Sequence, residues 1–281
     1  LTVKVVTDSP ADIPSDLVKE LDITVVPAFV ILGNKTYRDG VDISPEDVYH
    51  KMIIENIPAS TSQPPPVDFA NTYQKLLKNA DGIISIHTTS KLSGIYNSAI
   101  QGKSMTSGGG KHITVIDSCS TSMGLGLLTL LAARLAKAGE NMHNVARALN
   151  KSISLIRLWG YFDTLKYVLQ GGRLGKAKAL IGSILPIKAI LSMRDGELHP
   201  TGAVRTRTKG INRLIDNFKL AANVQDAAIV YSTTPNDAQT LKEHIQNISD
   251  KIPIYISRLG PALGVHGGPG TLILALRQED G

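Results

Sequence analysis

The 281-residue sequence predicts an α/β chain in two parts. An N-terminal, doubly wound and mostly parallel sheet domain is expected over residues 1–157, and an α+β domain with a mixed or antiparallel sheet over 158–281. Three observations predict this. The first half alternates short β-branched runs with amphipathic helical stretches, the pattern of a parallel sheet covered by helices. In the second half Asp195-Gly196 separates two strand-like runs and suits the positive φ angles of a tight hairpin turn, so antiparallel pairing enters there. The length also suffices for two units that each bury a core.

Taken in order, residues 3–7 read as the first strand, closed by Asp8-Ser9, and 14–21 as a helix. A second strand is expected over 24–30, with Gly33-Asn34 marking the hairpin after it. Ser44-Pro45-Glu46-Asp47 offers an N-cap, a proline at the first helical position and acids in the first turn, which predicts a helix over 45–56. A helix over 65–77, a strand over 82–86, a helix opening near Gly94, a strand over 113–117 and a helix over 123–137 continue the alternation. The helix predicted over 142–156 leads into Trp159-Gly160-Tyr161-Phe162 and the Gly171-Gly172 break, where the texture changes. Strands over 187–193 and 197–204 flank the tight turn. A helix over 208–222, a strand over 227–233, a helix over 236–249 and strands over 254–258 and 272–277 complete the second part.

Apolar residues make up 42% of the chain and charged residues 19%, with no long biased tract, so the sequence is that of a globular protein. The formal charge of +6 would favour approach to acidic partners and transient contact with an anionic membrane surface. Lys and Arg are scattered singly and aromatics are only 5%, so no nucleic-acid partner is expected. Cys119 is the single cysteine, which excludes an intrachain disulfide and points to a reducing, cytoplasmic setting. The chain opens on a strand-like run without a basic n-region and apolar stretch, so no signal peptide is expected, and the missing initiator Met implies trimming. The longest apolar stretch, 123–133, meets Arg134 well short of the roughly 20 residues that span a bilayer, and is expected to be a core helix.

Three distant segments offer groups that hold a buried anion. Ser93, in Leu92-Ser93-Gly94, stands where a helix begins beyond a strand end. Ligands of open α/β sheets bind there, and free helix N–H groups face them; a simple helix cap would look the same. Thr61 and Ser62 precede Gln63 and three prolines, Pro64 to Pro66, which make a stiff polar loop or an ordinary proline-initiated helix start. His266 lies in Gly264-Val265-His266-Gly267-Gly268-Pro269-Gly270, where the backbone can approach a ligand closely and the imidazole can donate to an oxyanion; a solvated loop histidine is the alternative. All three are expected in loops. Joined to an apolar cleft between the two domains, such a polar end would suit the carboxylate of a long-chain lipid.

At these residues the chain resembles the DegV family of bacterial fatty-acid-binding proteins, almost from end to end. Val6-Thr7-Asp8-Ser9 with Asp12-Ile13-Pro14, Thr61-Ser62-Gln63-Pro64 with Phe69, the run from Leu92 to Ala99, Val115-Ile116-Asp117-Ser118, Gly171-Gly172-Arg173-Leu174 and the His266 loop match its motifs in order. The resemblance implies a long-chain fatty acid such as palmitate lying between two domains, its carboxylate held at Thr61, Ser93 and His266, with Ser62, Gly94 and Arg205 as neighbours. It further implies a noncatalytic carrier without a cofactor, similar to the lipid-carrier subunit of fatty acid kinase, which presents the acid to a separate ATP-dependent kinase catalytic protein. Arg173 matches a position implied in docking that kinase, though an arginine after a double glycine can equally cap the preceding helix. Ile95, Pro65 and Ala189 depart from the family's usual Thr, Ser and Pro, which touches loop shape and tail pocket more than the anion grip. Tail contacts are expected from 179–190 and from helices on both sides.

The rival reading is a serine-dependent acyl hydrolase or transferase with Ser93 as nucleophile and His266 as base. Ser93 lacks the Gly-x-Ser-x-Gly elbow, since Lys91 and Ile95 occupy the glycine positions, and no third triad member is indicated. Gly171-Gly172-Arg173-Leu174-Gly175-Lys176-Ala177 lacks the Walker spacing and its final Ser or Thr, and Gly124-Leu125-Gly126 has no third glycine in register. The seven histidines lie singly without cysteine pairs, so no metal site is expected.

Overall fold

A computed structural model describes residues 2–108, 110–175 and 188–280 of the chain. Its first sheet is parallel throughout. Strand β1 (Val3–Asp8) lies between β2 (Ile23–Val26) and β6 (Gly82–His87), and β7 (Ile113–Asp117) pairs with β6. Side chains alternate between its faces. Val3, Val5, Ile84 and Ile86 join a core with α5 (Ser122–Lys137) and α6 (Met142–Ile153), while Val6 and Ile83 join another with α3 (Pro66–Leu76) and α4 (Ile95–Met105). Helices therefore cover both faces, as the alternation predicts.

The second sheet is mixed. Its order is β10 (Glu197–Val204), β9 (Lys188–Arg194), β8 (Ile156–Phe162), β13 (Leu272–Gln278), β11 (Val224–Tyr231) and β12 (Ile254–Arg258), antiparallel except for the β11–β12 pair. One face packs under α8 (Arg207–Lys219) and α9 (Pro235–Ile248) through Leu214, Phe218, Leu241 and Ile245. The other face gives Leu158, Val230, Ile273 and Ala275 to the core that α5 shares with the parallel sheet. A helix between two sheets has no wet side, which is why α5 is apolar almost all round. No helix among the described residues is long and apolar enough to cross a membrane.

Several elements differ from the sequence expectation. The strand expected over 24–30 is two strands: Pro27, which has no N–H for a ladder, ends β2, and β3 (Phe29–Leu32) leaves to form a small antiparallel sheet with β4 (Lys35–Arg38) and β5 (Ala59–Ser62). The helix expected over 45–56 is a short α2 (Pro45–Tyr49), opened by a reciprocal Ser44–Asp47 capping box, which widens into a π-turn over His50–Ile54. The helix expected over 142–156 stops at Ile153, and β8 starts at Ile156, so the division we propose after residue 157 falls inside that strand. Two short helices are added: α7 (Lys166–Gln170), the helix that precedes the Gly171-Gly172 break, and α10 (Pro261–Gly267), in a stretch expected as loop.

Candidate functional site

The carboxyl ends of β1, β6 and β7 face β8 and β13 across a cavity of about 960 Å³, its open mouth included. Pro10, Thr88 and Thr121 follow the parallel strands; Leu158, Gly160 and Phe162 of β8 and Ile273 of β13 form the opposite wall. Alternate residues of β8 share this face, so the wall runs about 13 Å from Phe162 to Leu158 at roughly 3.3 Å per residue. Leu259, Ala262 and Val168 add apolar surface. Thr61, Ser93, Arg173 and His266 line the same cavity, and the chain runs from His266 into β13 beside Tyr161, next to Phe162.

Each of these is set by its element. Thr61 belongs to β5, opposite Val30 of β3, and is therefore a strand residue and not a loop residue. His266 sits in the last turn of α10, again not in a loop. Its Nε2 lies 2.7 Å from Thr61 Oγ1. Its Nδ1 is buried against Gly171, where a Cβ would come within 2.1 Å, and has no hydrogen-bond partner among the described residues. Buried N–H groups are left without a partner more rarely than buried acceptors, so we assign the ring proton to Nε2. Nε2–H then donates to Thr61 Oγ1, and the threonine hydroxyl keeps its own proton to donate into the cavity. Burial, followed by the nearby Arg173 charge, pushes the His266 pKa down to about 4.

Ser93 precedes α4, in a loop whose start is fixed by Thr88: its N–H and hydroxyl donate to the buried Asp8 carboxylate at 2.9 and 2.8 Å. Ser93 Oγ accepts the Ile95 N–H at 3.3 Å, which leaves its hydroxyl proton free for a ligand. The capping and ligand-holding readings are thus compatible. Gly94 does not line the cavity; a Cβ there would lie 3.0 Å from Gln63 Cδ, so its bareness lets the 61–63 and 93–94 segments meet. Ser62 is exposed and lines the cavity rim, its hydroxyl donating to the Gln63 carbonyl at 3.3 Å. Arg173 donates through Nε to the Leu92 carbonyl at 3.3 Å and through Nη1 to the Gly171 carbonyl, so it caps α7 while facing the cavity.

Arg205 is not brought to the site: it is exposed after β10 and lines no part of the cavity. The arginine that supports the region is Arg207, which donates to Asp163 at 2.8 Å, to the Gly270 carbonyl at 2.9 Å and to Thr234 at 2.6 Å, pinning the turn after α10. The tail contacts expected from 179–190 are not found where the chain is described, because Lys188, Ala189 and Ile190 belong to β9 and do not line the cavity; 179–187 lie outside the described residues. The apolar lining comes instead from β8, β13 and α10, which sequence reasoning missed. Ser93 and His266 are not partnered as a nucleophile and base, since the imidazole engages Thr61. A chain of Asp8, His87, Ser85 and Tyr73 with contacts of 3.0, 2.7 and 2.8 Å does imitate a triad, but it is sealed in the core.

A family profile described as "Uncharacterised protein, DegV family" matches residues 2–279. The chain belongs to the DegV family. A DegV domain-containing protein of Caldanaerobacter subterraneus subsp. tengcongensis is 35% identical over 270 residues, 95% of each chain. Among solved structures, a fatty-acid-binding DegV family protein from Thermus thermophilus superposes with a TM-score of 0.91 at 29% identity, over 99% of this chain and 100% of that one. A stearic-acid-binding protein from Eubacterium ventriosum gives 0.90 at 25% identity, over 98% of both. The two-domain fold is thus shared with solved DegV proteins, of which those from Thermus thermophilus and Bacillus subtilis are described as fatty-acid-binding.

Proposed function

We propose that this protein binds a long-chain fatty acid in the cavity between its sheets and carries it, without catalysis of its own, to a separate ATP-dependent kinase that forms the acyl phosphate. One observation carries the reading: a largely apolar cavity is lined together by Thr61, Ser93 and His266, with the imidazole hydrogen-bonded to Thr61. About 14 methylenes at about 0.8 kcal/mol each give roughly 11 kcal/mol of gross burial, against an association cost of about 4 to 15 kcal/mol. The tail therefore supplies the affinity, and the head group must be satisfied for the balance to hold. Two hydroxyl donors do so, the Thr61 hydroxyl polarised by the imidazole and Arg173 adding positive charge at the same end. The bound carboxylate is thereby placed, and a kinase docking at Arg173 would meet it.

Organic extraction of the purified protein followed by mass spectrometry tests the ligand class: a co-purified long-chain acid is expected, and an empty extract together with no uptake of added palmitate would sink the reading. Incubating the palmitate-loaded protein with a fatty acid kinase catalytic protein and ATP tests the carrier role, with acyl phosphate trapped as the hydroxamate expected only when both proteins are present.

A further inference from the structure

Helix α10 carries His266 at its C-terminal end, and its N-terminal end is gripped by two buried carboxylates. Asp12 Oδ1 accepts the Gly260 N–H at 2.9 Å, while its Oδ2 accepts the Ser122 hydroxyl at 2.6 Å. Asp39 accepts the Ser9 hydroxyl at 2.6 Å and lies near the Ala262 N–H of the first turn. The Asp12 backbone carbonyl also accepts the Ser257 hydroxyl at the end of β12. The loop after β1, the start of α5 and the approach to α10 thus meet on one side chain. Asp12 is 6% exposed and Asp39 3%.

We propose that Asp12 and Asp39 are positioning residues for fatty-acid binding, which together fix the start of α10 and through it the place where His266 meets Thr61. The helix is seven residues long, so a rigid body of about 10 Å joins the carboxylates to the imidazole. Gly260 is the pivot: a Cβ there would lie 3.0 Å from Asp12 Oδ1 and 3.7 Å from Asp39 Oδ1. Those two oxygens are therefore within about 7 Å of each other, where like charges repel appreciably.

The groups facing the pair do not neutralise it. Asp8 of β1 adds a third negative charge, and Tyr49 and Glu46 approach from α2. Arg258 of β12 is turned to Glu46 and to the Ser232 carbonyl. Burial first, and the neighbouring carboxylates after it, raise Asp12 to about 8 and Asp39 to about 6. At pH 7 the pair therefore retains a proton on Asp12, whereas a solvated Asp12 would have lost it near 4, so the gripped arrangement loses stability as pH rises through neutrality to about 8, where the desolvated carboxylates repel one another. Neither His266 nor a monomeric fatty acid changes its own charge over that rise.

This inference rests on the fatty-acid reading, and the test separates the two. Palmitate affinity is measured between pH 6.5 and 9.5 for the wild type and for Asp12→Asn, whose amide keeps an acceptor for Gly260 and a donor for Ser122 without charge. The dissociation constant of the wild type is expected to rise at least fivefold across that range, and that of Asp12→Asn to stay within about twofold. A flat wild-type profile, or an equal rise in both proteins, overturns the positioning role while leaving fatty-acid binding intact. No binding at any pH overturns the function instead. If Asp12→Asn does not fold, the wild type alone decides: the side-chain nitrogen resonances of His266, identified with His266→Gln, must move through the same transition as the affinity. Resonances that stay still while affinity falls overturn the proposal.

Discussion

At the residue scale the site depends on two hydroxyl protons. Ser93→Ala removes one donor and leaves the scaffold, so palmitate affinity is expected to fall by about 1 to 3 kcal/mol, roughly 5- to 150-fold, with an unchanged circular dichroism spectrum. Thr61→Val removes the other and also strands the His266 Nε2–H, so its loss is expected to be at least as large. Equal affinity in either variant, measured by displacement of a fluorescent fatty acid, would remove that residue from the site. His266 adds a pH dependence of the fold itself. Its imidazole takes up a proton near the ordinary 6.5 when unfolded but only near 4 when folded, so between those values the unfolded state binds more protons. The stability it contributes is full above about pH 6.5 and is lost as pH falls toward 4. Urea midpoints measured from pH 7 to 4.5 are expected to drop less in His266→Gln, which can keep the donor to Thr61 and does not titrate. The sequence named Thr61, Ser93 and His266 by residue type and local glycine or proline context. It did not reveal that His266 acts behind Thr61, because 205 positions separate the two and only the packing of α10 on β5 joins them.

At the scale of elements, strands and helices with one clear period were legible and those with mixed signals were not. Residues 113–117 and 254–258 match their strands to the residue. By contrast Ala59–Ser62 is short and polar, and reads as a strand only because β3 is there to pair with it. Helix α10 is hidden by Gly264 and Gly267, which weaken helix propensity yet let the helix lie close on its neighbours: a Cβ at 264 would sit 2.9 Å from the Tyr49 hydroxyl. The same device sets the angle of α4, whose start carries Ser93. A Cβ at Gly102 would lie 2.5 Å from Phe69 Cβ and 2.7 Å from the Pro66 carbonyl oxygen, and neither can yield without moving α3. Gly102→Ala is therefore expected to cost about 1 to 3 kcal/mol despite alanine's better helix propensity, read as a lower urea midpoint. A gain in stability would show that α3 and α4 have slack between them.

At the scale of the whole molecule, the fold class follows from the sequence, while the cavity does not. Its wall draws on Pro10 and Ala28 near one end of the chain and on Leu259 and Ile273 near the other, and no local window announces that these face one void. Each of those residues is buried; what the sequence cannot convey is that the two sheets stop short of full contact beyond the ends of β1, β6 and β7. The gap is useful only if it is long, and that is open to measurement. Ile273 lies opposite Gly160, midway along the β8 wall between Phe162 and Leu158. An indole there would close the passage beyond its midpoint without touching Thr61, Ser93 or His266. Ile273→Trp is accordingly expected to weaken palmitate binding by tenfold or more while an eight-carbon acid loses less than about threefold, since the burial of about 0.8 kcal/mol per methylene is forfeited only by the carbons past the block. Calorimetric titration of both acids reads the difference, with thermal unfolding as the check that the larger side chain is accommodated. If both acids weakened equally, the tail would not run along β8, and the polar end at Thr61 would have to open onto some other path.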